Sequence, residues 1–507
     1  MTLCPGKKDP HGMSGPWERD LAVDVRAVRD WGASAVVTLV QPEELAFLEV
    51  EGLGAAVREQ GMEWLHLPIP DGGVPDDAFE TAWWSVGPRL RKKLTDGGRV
   101  LLHCRGGLGR TGVIAARLLV EAGVAPQEAI DMVRAARSKT IENATQERYV
   151  LGLAPAISLA ERIRGCLLAG ACGDALGASV EFMKLPEIRR RYGQGGIRDY
   201  DLAYGRRGAI TDDTQMTLFT VEGLMRGWVR GVLRGVSSPT CTVHHSYLRW
   251  QLTQGAGQSE SSAAQDGWLI KEKALWSPRA PGNTCLAALR EAKGYGDFAM
   301  NDIKGCGGVM RVAPAGFYWW GAQSLEARFR FGADLARLTH GHPSGYLAAG
   351  VLTALVVGLA NSYCLESSLD RAMAILRKQP RHQEVLRAVE QARELAAQGP
   401  SVEYVERLGQ GWVAEEALAI SVYCALACES LEEAVLLAVN HSGDSDSTGS
   451  ITGNILGTLH GPKAIPERWL AELELREVIE TLAHDLASIL EHPRPDADAL
   501  WDRYPGF

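Results

Sequence analysis

Along the first third of the chain, apolar residues fall into short, unbroken, β-branched runs. Ala35-Val36-Val37-Thr38-Leu39-Val40, Trp64–Ile69 and Arg99-Val100-Leu101-Leu102-His103 each read as a strand buried on both faces, because a strand with one wet face would alternate. Between them, apolar positions recur at helical spacing over Glu43–Gln60 and Asp77–Lys93. The segment predicts an α/β domain, a parallel-type sheet flanked by helices. After Gly152-Leu153-Ala154-Pro155 the pattern changes. From Leu159 onward Ala, Leu, Arg and Glu recur at helical periods with few strand runs, which predicts a large all-α domain. The chain is therefore read as multidomain, residues 1–155 followed by 160–507. The greasiest stretch, Gly345–Ala360, is shorter than the roughly 20 residues of a membrane span and predicts a buried helix, so no membrane partner is expected.

Composition narrows this little. Of 507 residues 46% are apolar, and the net charge of -9 is spread over both parts. Neither part carries a basic footprint, which argues against a nucleic-acid partner. The start, MTLCPGKKDPHGM, has no apolar run and predicts no signal peptide. The ten cysteines form no C-x-x-C pair and no disulfide-framework spacing. A reducing, cytoplasmic location is expected.

One cysteine stands apart. The third strand runs into His103-Cys104-Arg105-Gly106-Gly107-Leu108-Gly109-Arg110-Thr111-Gly112, and an amphipathic helix, Val113–Glu121, follows. A loop this rich in glycine can turn successive N–H groups of Arg105, Gly106, Gly107, Leu108 and Gly109 inward as an anion nest at a helix N-terminus. Arg110 adds a bidentate fork for a phosphoryl group. The same field would hold the Cys104 thiol as a nucleophilic thiolate, and the Thr111 hydroxyl can donate to the sulfur as it leaves a phospho-cysteine. Such chemistry needs an acid for the leaving alkoxide. Asp71, in the turn Pro68-Ile69-Pro70-Asp71-Gly72-Gly73-Val74-Pro75, is the candidate, ahead of Asp76 and Asp77, which look like helix-start acids.

These segments, with Pro5-Gly6-Lys7 and Ile141-Glu142-Asn143-Ala144-Thr145-Gln146, resemble the dual-specificity type of protein-tyrosine phosphatase, specifically the cyclin-dependent-kinase-inhibitor-associated phosphatases. The resemblance implies that Gln146 positions the hydrolytic water. Asn143 stands where that family commonly has threonine, and no lysine occupies position 105, so the basic loop of inositol-lipid phosphatases is absent. It implies phosphomonoester hydrolysis of a phosphorylated protein or small phosphoester, without metal.

The second part holds two oxygen-rich clusters. Thr211-Asp212-Asp213-Thr214-Gln215-Met216 opens one helix, and Asn440-His441-Ser442-Gly443-Asp444-Ser445-Asp446-Ser447-Thr448-Gly449 leads into another, Ile451–Leu459. A calcium loop fails, because counting Asp444 as the first position puts Ile455 where a bidentate Glu is required. Four carboxylates with hydroxyls and no cysteine suit Mg²⁺ or Mn²⁺.

Arg164-Gly165-Cys166-Leu167, Gly173-Asp174-Ala175-Leu176-Gly177, Pro281-Gly282-Asn283-Thr284, Lys304–Pro314, Thr339-His340 and Gly443–Gly449 complete a resemblance to the ADP-ribosylglycohydrolase family, the class of the dinitrogenase-reductase-activating glycohydrolase. It implies an all-α fold, two Mg²⁺ or Mn²⁺ ions, and cleavage of ADP-ribose from a modified protein or small molecule. Carried over, Thr211, Asp212, Asp213, Asp444, Asp446 and Ser447 become metal ligands. Glu181 matches an acid that gates the site or reaches a metal. Gly305, Cys306, Gly307, Gly308 and Val309 offer backbone N–H groups to the ADP-ribose, and His340 touches it. Three alternatives stay open: one half as a non-catalytic binding module, the helical half as an ADP-ribose reader, or both sites acting on one phosphorylated ADP-ribose metabolite.

Overall fold

A computed structural model gives the fold and describes residues 1–12, 15–255, 265–318, 324–491 and 496–506. The chain forms two compact units, Met1–Ala156 with Asn361–Cys364, and Ile157–Ala360 with Leu365–Phe507.

In the first unit the three-stranded sheet is built from β1 (Ala33–Thr38), β2 (Glu63–His66) and β3 (Arg99–His103), with α1 (Pro42–Phe47), α2 (Asp77–Thr95), α3 (Gly109–Glu121) and α4 (Ala144–Leu151) among the helices around it, and Lys8–Asp9 pairs separately with Trp17–Glu18. The sheet order is β2-β1-β3, all parallel, with Val36 opposite both Trp64 and Leu101. Val36 and Val37 of the central strand are buried, as the unbroken apolar run requires. Because the strands are parallel, the segments after β2 and β3 leave the sheet at the same end. That places the Asp71 turn beside the Cys104 loop.

Two expectations change here. The single helix read over Glu43–Gln60 is two, α1 and Leu53–Glu59. Between them Glu49 takes a left-handed φ of 54°, and the Val50 N–H donates back to Leu45 O at 2.9 Å. This ending buries Leu48 and Val50, a gain that outweighs helical continuity. The helix after the loop begins at Gly109 instead of Val113, so Arg110 and Thr111 lie in its first turn.

The second unit is helical apart from the short strands Leu202–Ala203 and Arg206–Arg207 among the described residues. Its site-bearing helices are α5 (Leu159–Gly177), α6 (Asp212–Arg234) and α8 (Ser445–His460), and α7 (Pro343–Ala360) runs through the core. By length and composition α7 could cross a membrane, yet almost all of it is buried within this unit. Helix α8 starts at Ser445, six residues before the expected Ile451, because the Gly/Ser/Asp run forms its first turns. Helices α5 and α8 meet backbone to backbone. A Cβ added at Gly173 would lie 2.1 Å from Gly449 O, and one at Gly177 would lie 2.4 Å from the Asp446 backbone.

Candidate functional site

Cys104 sits at the end of β3, 3% exposed, and the Gly107 N–H donates to its Sγ at 3.2 Å. At Gly107 the loop curls onto its own sulfur. Gly107 has a φ of +72°, and a Cβ there would lie 2.2 Å from Thr2 O, so only glycine fits. Gly106 accepts from Arg137 through its carbonyl, at 3.3 Å, and Leu108 is the N-cap of α3. The buried Arg110 donates from Nη1 and Nη2 to Glu44 Oε2 and Oε1, at 2.5 and 2.8 Å, and from Nη1 to Ile69 O at 3.0 Å. Burial pushes the Glu44 carboxyl up, but these hydrogen bonds bring it below the usual carboxylate range. Asp71 is exposed, with Oδ1 2.9 Å from Arg110 Nη2.

Gln146 is buried against the N-terminus of α3, where a Cβ on Gly109 would lie 2.9 Å from its Nε2. Its Oε1 accepts from the Glu142 N–H at 2.8 Å and its Nε2 donates to Gly73 O at 3.2 Å. Asn143 caps α4 and donates from Nδ2 to Gly72 O at 2.9 Å. The two residues thereby pin the acid-bearing turn to the cysteine loop. Thr111 Oγ1 is buried without a hydrogen-bond partner among the described residues. Asp76 and Asp77 are an N-cap and a first-turn acid of α2.

In the helical unit, Thr211 is the N-cap of α6 and Asp212 and Asp213 form its first turn. Asp444 is the N-cap of α8, with Asp446 and Ser447 in its first turn. Glu181 lies in the turn after α5 and is buried, with an oxygen of Glu181, of Asp444 and of Asp446 all within 4.8 Å of one another. Burial, and then the charge of Asp446, push Asp212, Asp213 and Asp444 well above the usual carboxylate range, and Glu181 up to about 11. Glu181 Oε2, Asp213 Oδ1 and Asp446 Oδ1 have no hydrogen-bond partner among the described residues. Ionised carboxylates buried so close, with oxygens left unpaired, are unfavourable unless protons or a cation neutralise them. All-oxygen donors fit a hard divalent ion.

The Gly305–Val309 loop departs from expectation. Gly305 bridges Val413, and the Cys306 N–H donates to Trp412 O at 3.2 Å. The Val309 N–H donates to Cys306 O at 2.9 Å. Those two N–H groups are taken up within the protein, which removes them from the set expected to meet a ligand. The Cys306 thiol donates to Asp444 Oδ2 at 2.7 Å. His340 is buried beneath the loop, where a Cβ on Gly305 would lie 3.3 Å from its Nε2. Its Nδ1 meets Thr339 Oγ1 at 2.8 Å, and burial followed by Arg311 lowers it to about 3, so the ring is neutral.

Three side chains escaped the sequence reading. Glu44 clamps Arg110, and Asp9 holds Arg105. Asp174 accepts from the N–H groups of Thr211 and Thr214, at 3.0 and 3.1 Å, and from the Thr214 hydroxyl. Its carboxyl is pushed up to about 7 by burial and by Asp446. A buried acid inside a small-residue helix was the available signal.

Residues 155–496 match the family model for ADP-ribosylglycohydrolase. The chain belongs to the ADP-ribosylglycohydrolase family. Residues 11–124 match a second model, the DSP-PTPase phosphatase of polymorphic toxin systems. The ADP-ribosylglycohydrolase unit is 30% identical to an uncharacterized protein of Archaeoglobus fulgidus, over 64% of this chain and 96% of that one. It is 26% identical to the ADP-ribosyl-[dinitrogen reductase] glycohydrolase of Rhodospirillum rubrum, over 63% and 92%. The first unit is 33% identical to cyclin-dependent kinase inhibitor 3 of Rattus norvegicus, over 26% of this chain and 62% of that relative. The chain is thus an enzyme of the hydrolase class, an ADP-ribosylglycohydrolase domain joined to a phosphatase domain.

Proposed function

We propose a bifunctional hydrolase that removes ADP-ribose from a modified acceptor in a metal-dependent reaction and hydrolyses phosphomonoesters through a phospho-cysteine. The observation that carries the first half is the buried carboxylate set with unpaired oxygens. Asp212, Asp213, Asp444 and Asp446, with the hydroxyls of Thr211 and Ser447 and with the buried Glu181 beside Asp444 and Asp446, would hold two Mg²⁺ or Mn²⁺ ions. Such ions supply the Lewis acidity that orients ribose hydroxyls beside the scissile bond. Asp174 fixes the first turn of α6, and thereby the direction of Asp212 and Asp213. The Cys306 thiol holds one Asp444 oxygen in place. The test is release of ADP-ribose from defined linkages with and without chelator. Equal release in both would defeat this assignment.

In the phosphatase half, Cys104 Sγ attacks phosphorus while Arg110 and the loop N–H groups hold the phosphoryl oxygens. Asp71, beside the Arg110 fork, delivers a proton to the departing oxygen. Gln146, pinned to Gly73 and Glu142, orients the water that releases phosphate. The Thr111 hydroxyl stabilises the leaving thiolate. A metal is not needed for these steps, and hydrolysis of p-nitrophenyl phosphate in chelator tests them. The ADP-ribosylarginine hydrolase Tri1 of Pseudomonas putida, 25% identical over 64% of this chain, makes arginine linkages the first acceptor to assay. On the cysteine spacing alone we also propose a cytoplasmic location.

A further inference from the structure

Arg105 follows the nucleophile directly, and the reaction above gives its side chain no task. Its Nε and Nη2 both donate to Asp9 Oδ2, at 3.3 and 3.0 Å. Asp9 is fully buried and lies 3.2 Å from Lys7 Nζ. The Phe47 ring covers the guanidinium, 5.0 Å from its centroid. A guanidinium held in plane by a carboxylate and on its face by a ring has one orientation. Nη1 takes no partner among the described residues, and the side chain is 36% exposed, so a fixed donor edge faces outward.

The second arginine of the loop is held from the same helix. Glu44 and Phe47 are three residues apart on α1, the spacing that puts two side chains on one face. Glu44 clamps Arg110 and Phe47 covers Arg105. One helical turn therefore sets the two guanidiniums side by side. Burial raises the Glu44 carboxyl, and among the groups that bring it down are both Arg110 and Arg105. If Arg110 grips the scissile phosphoryl group, Arg105 presents a second anion-binding fork near it, both guanidiniums lying close enough to Glu44 to lower its carboxyl through charge.

We propose that the phosphatase site takes phosphomonoesters that carry a second phosphoryl group beside the scissile one, with Arg105 as the residue that selects them. This rests on the phosphatase reading of the Cys104 loop. The test uses the full chain in chelator, with p-nitrophenyl phosphate turnover as readout and inorganic phosphate, pyrophosphate and tripolyphosphate as competitors. One extra charge-assisted contact predicts that one of the two polyphosphates inhibits about tenfold or more better than phosphate. Arg105→Gln should bring that ratio to within about twofold, and Phe47→Leu, which keeps the charge but frees its orientation, should lower it in part. Titration calorimetry of the same anions gives the ratio should Arg105→Gln turn over too slowly. If Arg105→Gln weakens phosphate as strongly as polyphosphate, the Phe47→Leu ratio decides, and an unchanged ratio there overturns the proposal. Equal inhibition of the natural sequence by all three anions, or a preference that survives Arg105→Gln, also overturns it while the phosphatase reading stands. Absence of any turnover removes both.

Discussion

The two sites handle charge in opposite ways. Around Cys104 the cations have partners: Arg110 has Glu44 and Asp71, and Arg105 and Lys7 share Asp9. In the helical unit, Glu181, Asp444 and Asp446 crowd together, with Asp212 and Asp213 close enough to feel the charge of Asp446. A site whose cations are already fixed by acids is preorganised for an anion and needs nothing added. A site made of mutually repelling acids is incomplete until positive charge arrives from outside. On the proposed function, the difference separates a reaction in which the chain would supply the nucleophile from one in which it would supply a cage.

The contrast can be broken most directly at the nucleophile. Cys104→Ser should lower p-nitrophenyl phosphate turnover on the order of 10³-fold or more while leaving ADP-ribose release intact. Loss of both activities would show that the sites do not act separately. Asp213→Ala should abolish ADP-ribose release, and the metal-free variant should melt no lower than the metal-free natural protein, because one repelling carboxyl is gone. A lower melting temperature would mean the acids stabilise the fold without a cation.

A smaller effect tests the partners that fix each site. Asp174→Asn should weaken the apparent affinity for Mn²⁺ by about 10–100-fold, read from the metal dependence of ADP-ribose release. Unchanged affinity would reduce Asp174 to a helix brace. Glu44→Gln should cut kcat/KM for aryl phosphate about tenfold, the scale of one charge-assisted hydrogen bond. A fall confined to ADP-ribose release would contradict the pairing.

The smallest effect is thermal. Glu181 and Asp174 are raised to about 11 and about 7, above their unfolded values near 4. A raised carboxyl contributes stability that is complete below the unfolded value and is lost as pH rises through the folded one. The rise in melting temperature on adding Mg²⁺ or Mn²⁺ should therefore grow between about pH 5 and pH 8. A gain that is flat or shrinks over that range would place the cation elsewhere.

What the sequence makes legible is what lies close together along the chain. The run from Val100 to Glu121 announces strand, loop and helix in order, and Asp71 is found because it follows a strand of the same sheet. Helix starts are harder. Gly109-Arg110-Thr111 and Ser445-Asp446-Ser447 look like loop, yet acids, hydroxyls and glycine are at home in a first turn once its N–H groups have a use. Partners brought from afar leave no trace in spacing: Glu44 reaches Arg110, Asp9 reaches Arg105 and Cys306 reaches Asp444 only through tertiary structure. The Cys306 N–H is hidden in the same way, since the carbonyl of Trp412 is invisible until the chain folds back, whereas the Val309 N–H is taken up by a local turn onto Cys306 O.

The contact of α5 with α8 bears on how this enzyme could be redesigned. Gly177 touches the backbone of Asp446 itself, so the carboxylate cage is mounted on a seam with no room for even one added methyl group. Libraries aimed at a new acceptor should leave that seam untouched. They belong at the outer wall, where Phe182, 72% exposed, stacks on Trp412 beside Glu181 and Cys306. Variation there changes what approaches the cage without changing how the cage is held.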